Sequence, residues 1–75
     1  MKLKDYSIKN FPSDIELFLY CEIEGERLNM HIDKYYCGKT IKEIQKNINS
    51  FLDANGWDYT KAMTKRTARK IKWYL

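Results

Sequence analysis

The sequence predicts an α+β domain: an antiparallel β-hairpin, in a sheet of two or three strands, packed by a capped helix and followed by a basic C-terminal helix. Three observations carry this. Residues 15–23 and 26–32 alternate apolar and polar side chains around Glu24-Gly25, which is the period of a half-buried strand pair. Residues 40–55 repeat their apolar side chains at helical spacing between a start signal and a stop signal. Net positive charge is confined to the last twenty residues. Residues 1–55 hold eight Lys/Arg against nine Asp/Glu, and residues 56–75 hold six against Asp58 alone.

The 75 residues suffice for one domain over 1–75, near the lower size limit for folding on apolar burial alone. Eleven aromatics with abundant Ile and Leu supply one modest core and argue against disorder. The longest apolar run, Leu17 to Cys21, is far short of the roughly 20 residues that span a bilayer. The segment Met1 to Asp5 lacks the apolar stretch of a signal peptide. A cytoplasmic location without membrane association is the expectation. No internal repeat or low-complexity tract interrupts the chain.

In chain order, Tyr6 to Lys9 suits an edge strand, ended by Phe11-Pro12-Ser13. An isolated hairpin is marginal, which leaves the sheet at two strands or, with this segment, three. In the hairpin, Ile15, Leu17, Leu19, Cys21 and Ile23 share one face. A two-residue turn at Glu24-Gly25 pairs Cys21 with Leu28, Leu19 with Met30 and Leu17 with Ile32, and sets Glu22 against Arg27. A slip of one residue would scatter both sets. The other face gathers Phe18, Tyr20, Arg27, Asn29 and His31. In so small a domain that face is expected to be covered, by the second helix or by the N-terminal strand. The alternative is a stacking platform for single-stranded nucleic acid.

Thr40 and Glu43 form a capping box, and Ile41, Ile44, Ile48, Phe51 and Leu52 make the stripe that should lie on the hairpin's aliphatic face. Asn55-Gly56 stops that helix. The second helix runs from about Tyr59 to Tyr74, with Asp58 placed to cap it, or Thr64 capping a shorter one. Its apolar stripe of Met63, Thr67, Ile71 and Tyr74 or Leu75 is narrow, so one side should stay open.

Signatures of catalysis are absent: there is no Gly-rich phosphate loop, CxxC pair, HExxH helix or G-x-S-x-G elbow. His31 is the only histidine, with no carboxylate firmly placed to orient it, and no spacing supports Cys37 as a nucleophile beside it. The two cysteines make no disulfide framework. In the predicted register they stand roughly 30 Å apart unless the chain folds back after Tyr36. Glu22, Glu24 and Glu26 read as a solubilising hairpin tip, since metal-loop spacing is missing. The chain is expected not to be an enzyme and to need no cofactor, metal or small-molecule substrate.

The basic segment is the main functional clue. Lys61, Lys65, Arg66, Arg69, Lys70 and Lys72 are suited to contact phosphates, with Trp73 stacking on a base or packing on sugar. Cations near a helix C-terminus are favoured by its dipole in any protein, but six without an acid after Asp58 exceed that need. The segment Met63 to Ile71 resembles the start of a helix-turn-helix recognition helix, in which a Ser/Thr cap precedes basic residues and a Thr that reach the major groove. It departs from that motif in having no Gly at the turn and only Asp58 to Ala62 for the preceding helix. The order of a sheet of two or three strands and then a helix is similar to the arm-type DNA-binding domains of phage integrases, a likeness that implies a sheet presented to the major groove. The Lys-, Ile- and Asn-rich composition resembles short proteins of phages and mobile elements. The expected function is therefore a small nucleic-acid-binding accessory protein acting on DNA or RNA. The alternative is an interaction module or inhibitor of anti-host or anti-defence type, binding an acidic protein groove with the same helix or offering its hairpin edge.

Overall fold

The computed structural model describes all residues, Met1–Leu75. Three antiparallel strands, β1 (Leu3–Asn10), β2 (Asp14–Cys21) and β3 (Arg27–Asp33), form a meander with β2 in the centre. Two helices follow, α1 (Ile41–Ala54) and α2 (Lys61–Trp73). No helix is long and apolar enough to cross a membrane.

Period two decides which side of the sheet is core. Ile15, Leu17 and Leu19 on β2 are wholly buried, with Cys21, Leu3 and Ile32 beside them. Ile44, Ile48 and Leu52 of α1 and Ala68 and Ile71 of α2 join the same cluster. Both helices therefore lie on one face, giving two layers. Burying each such aliphatic side chain contributes about 1.5–3 kcal/mol.

The hairpin differs from the sequence expectation in register. Leu19 pairs with Leu28, Leu17 with Met30 and Ile15 with Ile32, a shift of two residues. The turn is wider than Glu24-Gly25: the Cys21 N–H donates to Glu26 O at 3.3 Å, and the Glu26 N–H donates to Ile23 O at 3.2 Å. Cys21 Sγ also accepts from the Ile23 N–H at 3.2 Å, pulling Ile23 out of the strand and into solvent. Arg27 consequently stands opposite Tyr20, not Glu22. A shift of two preserves parity, so the side chains that remain paired keep their predicted faces, while Ile23, expected on the inner face, leaves the strand.

β1 is longer than the predicted Tyr6 to Lys9, and Lys4 is the extra residue of a bulge between Leu3 and Asp5. Its N-terminal end is tied down by Asp58, whose N–H donates to Met1 O (2.7 Å) and whose carbonyl accepts from the Leu3 N–H (2.8 Å).

α1 has the predicted ends. Thr40 Oγ1 accepts the Glu43 N–H at 3.1 Å, and its hydroxyl donates to Glu43 Oε1 at 3.0 Å. At the other end the Gly56 N–H reaches Asp53 O and the Trp57 N–H reaches Leu52 O, with Gly56 at φ +72. This is a Schellman stop, and it delivers Trp57 into the core.

α2 is capped by neither Asp58 nor Thr64. Thr60 Oγ1 accepts the Met63 N–H at 3.2 Å, because the backbone of Asp58 is already committed to β1. Thr64 is instead a buried mid-helix residue.

Candidate nucleic-acid interface

The geometry of the basic face follows from what α2 buries. Its inward residues are Thr64, Thr67, Ala68 and Ile71. The two threonines are polar, yet each hydroxyl is satisfied within the helix: Thr67 donates to Met63 O at 2.9 Å and Thr64 to Lys61 O at 3.3 Å. Such back-bonding removes the usual cost of burying a hydroxyl. The sequence places Thr67 and Ile71 on this face, but not Thr64, which reads as a possible cap, or Ala68.

With that side fixed inward, Lys61, Lys65, Arg66, Arg69, Lys70, Lys72 and Trp73 are all exposed. Projected at 3.6 residues per turn, they cover roughly half the helix circumference. Lys61, Lys65, Arg69 and Lys72 lie on one flank, Arg66 and Lys70 on the other, and Trp73 between them. Trp73 is 81 % exposed. No lysine or arginine of the chain forms a salt bridge; the single carboxylate contact of a basic side chain joins His31 to Asp14.

The structure separates these residues by their local partners. Lys72 turns away from the array, donating from Nζ to Lys39 O at 2.7 Å. Lys70 Nζ sits 5.8 Å from the centre of the Tyr74 ring. Arg66, Arg69, Lys70 and Trp73 close around Tyr6 of β1 to line a shallow hollow of about 360 Å³. Nothing local in the sequence marks Tyr6 for this hollow, because it joins β1 to residues of α2 some sixty positions away in the chain.

Helix-turn-helix geometry does not apply to this segment. Thr64, which that motif would use as its cap, and Thr67, which it would offer to a groove, are fully buried, and the helix is capped at Thr60 and starts at Lys61.

The outer face of the sheet is not covered by either helix, contrary to expectation. Its side chains are instead partnered among themselves. Tyr20 Oη lies 2.9 Å from Ser7 Oγ, and the Arg27 guanidinium sits 5.9 Å from the centre of the Phe18 ring. Asp14 Oδ2 lies 2.6 Å from His31 Nε2, so a carboxylate does orient this histidine. The cross-strand rows Lys9–Glu16–His31 and Asp5–Tyr20–Arg27 mix both signs. A face of mixed charge with engaged rings is a poor platform for a polyanion.

The cysteines are free and buried. The chain does fold back after β3, with the Tyr36 N–H donating to Asp33 O, and this brings Cys37 into the core with Cys21. Burial, with a smaller contribution from Asp33, pushes the Cys37 thiol up, against its own backbone hydrogen bond. Its Sγ donates to Gly38 O at 3.5 Å. A buried, protonated thiol of this kind is a weak nucleophile. No cluster of His, Cys, Asp and Glu is arranged to hold a metal ion, and Glu22, Glu24 and Glu26 are exposed in the β2–β3 turn.

No family model matches the chain, and comparisons with the curated proteins and with the solved structures find no match either.

Proposed function

We propose that this protein is a small nucleic-acid-binding protein that docks the exposed face of α2 on phosphates. One observation carries the reading: five cations without a carboxylate partner, Lys61, Lys65, Arg66, Arg69 and Lys70, spread around a single helix face with an exposed tryptophan among them. Cations alone would suit an acidic protein groove. The tryptophan, with Tyr6 across the hollow, adds ring faces on which a base or sugar can pack. Arg66, Arg69 and Lys70 sit where phosphates flanking that base would lie. Lys72, held by Lys39 O, contributes least.

A fluorescence titration against generic single-stranded and duplex DNA and RNA over a salt series tests this. Micromolar binding at low salt is expected, with log K falling linearly against log salt. If four or five phosphates are neutralised, the slope is roughly −3 on single strands and −4 on duplex. Arg66→Ala and Arg69→Ala should each lower the slope by about one, and Trp73→Ala should weaken single-strand binding by about 1–3 kcal/mol. No binding at low salt defeats the reading and directs attention to an acidic protein partner.

A further inference from the structure

The two edges of the sheet are built differently. β1 carries Lys4 in a bulge, Lys2 and Lys9 along its length, and a backbone clamp from Asp58. α2 lies beside it, with Arg66, Lys70 and Tyr74 facing Asp5 to Ile8. Bulges, lysines and covering segments are the devices by which natural sheets block further pairing. β3 has neither bulge nor lysine, and only its last residue is covered, by the turn that brings the Tyr36 N–H to Asp33 O. Its register with β2 is unbroken from Arg27 to Asp33, it holds no lysine or proline, and no strand lies on its far side.

Backbone parity defines what that edge offers. The Cys21 N–H donates to Glu26 O and the Lys34 N–H to Ser13 O. Even-numbered residues of β3 therefore bond to β2, and Arg27, Asn29 and His31 aim their N–H and C=O groups outward, as Asp33 does its N–H, while the Asp33 carbonyl already accepts the Tyr36 N–H at 3.1 Å. An antiparallel partner must match odd residues with odd residues. For a second copy related by a two-fold axis, three central registers satisfy this. Centring on Asn29 sets Arg27 against His31 of the second copy, and centring on His31 sets that residue against itself. Centring on Met30 places Arg27 opposite Asp33 of the second copy, and Asn29 opposite His31. The first pairing is of opposite charge and occurs twice by symmetry.

The same register completes the inner face. Leu28 and Met30 are only half-buried in one chain. They would meet Ile32 and Met30 of the second copy, above the open hollow of about 350 Å³ that Met30, Ile32, Tyr36, Ile44 and Phe51 line between β3 and α1. We propose that this chain forms a two-fold symmetric dimer by antiparallel pairing of β3 with β3 of a second copy about Met30, joining two three-stranded sheets into one. The occupant of this edge is the chain itself, because Arg27 and Asp33 stand at equal distances on either side of the centre. The α2 face lies toward the opposite edge and stays free, so this inference does not rest on the nucleic-acid reading.

Sedimentation equilibrium over a concentration series decides the matter. The mass should rise from 9.1 kDa toward twice that value. Arg27→Asp and Asp33→Arg should each weaken association on the order of ten-fold, since each places two like-charged pairs at the interface. The double variant should restore it. Asp33 Oδ1 also accepts the Tyr35 N–H at 2.8 Å, so Asn29→Pro serves as a second probe. It removes an outward N–H that β2 does not use, and should leave a folded monomer. A wild-type chain that stays at 9.1 kDa up to its solubility limit overturns the proposal. So does a dimer indifferent to Arg27→Asp and Asn29→Pro.

Discussion

Gln45 of α1 and Thr64 of α2 lock the two helices together: Gln45 Nε2 donates to Thr64 Oγ1 at 3.1 Å and to Lys61 O at 3.0 Å. The contact does more than join two elements. It sets the rotation of α2 about its axis, turning Thr64 and Ala68 inward and leaving the cations outward. Removing the amide should both destabilise the fold and loosen the basic face. Gln45→Ala is expected to cost about 1–3 kcal/mol, because Thr64 and the Lys61 carbonyl lose a shared donor. Thr64→Val keeps the volume but deletes the acceptor, and should cost about 1 kcal/mol. Urea denaturation followed by circular dichroism measures both.

The start of α2 gives a sharper contrast between neighbours. Thr60 caps the helix through its side chain, whereas Asp58 acts through its backbone alone. Thr60→Ala should therefore lower stability by about 0.5–2 kcal/mol. Asp58→Ala should stay within about 0.5 kcal/mol, the usual range for a surface substitution. Equal losses at the two positions would contradict this assignment of the cap.

Tyr59 supplies a pH signature. Its hydroxyl donates to Asp53 Oδ1 at 2.9 Å, and that bond, with smaller effects of desolvation and the carboxylate's charge, raises the phenol above its ordinary value. The folded protein holds the proton more tightly than the unfolded chain. Its contribution is thus complete below the ordinary tyrosine range, and is lost as pH rises through the raised folded value. Thermal melts from neutral to strongly alkaline pH should show the midpoint falling less steeply in Tyr59→Phe than in wild type. Subtracting the tyrosinate absorbance of that variant should give a late-titrating phenol.

The Thr40–Glu43 box, the Asn55-Gly56 stop and the alternation of residues 15–21 were all legible because each is a local device. A cap, a positive φ or a strand face is set by residues within a few positions of one another. The hairpin register was not, since parity permits shifts of two and the Cys21 thiol widened the turn by capturing the Ile23 N–H.

By itself the sequence determined the element order, the buried faces of β2 and α1, and the concentration of charge in α2. These depend on periodicity and composition, which the chain carries locally. Tertiary structure alone decided the rest. It buried Thr64 and Thr67 by satisfying their hydroxyls, drew Lys72 to Lys39 O and placed Tyr6 beside Trp73. It also clamped β1 through Asp58 while leaving β3 open. Each of these joins groups distant in the chain, so only the packing of sheet against helices brings them together.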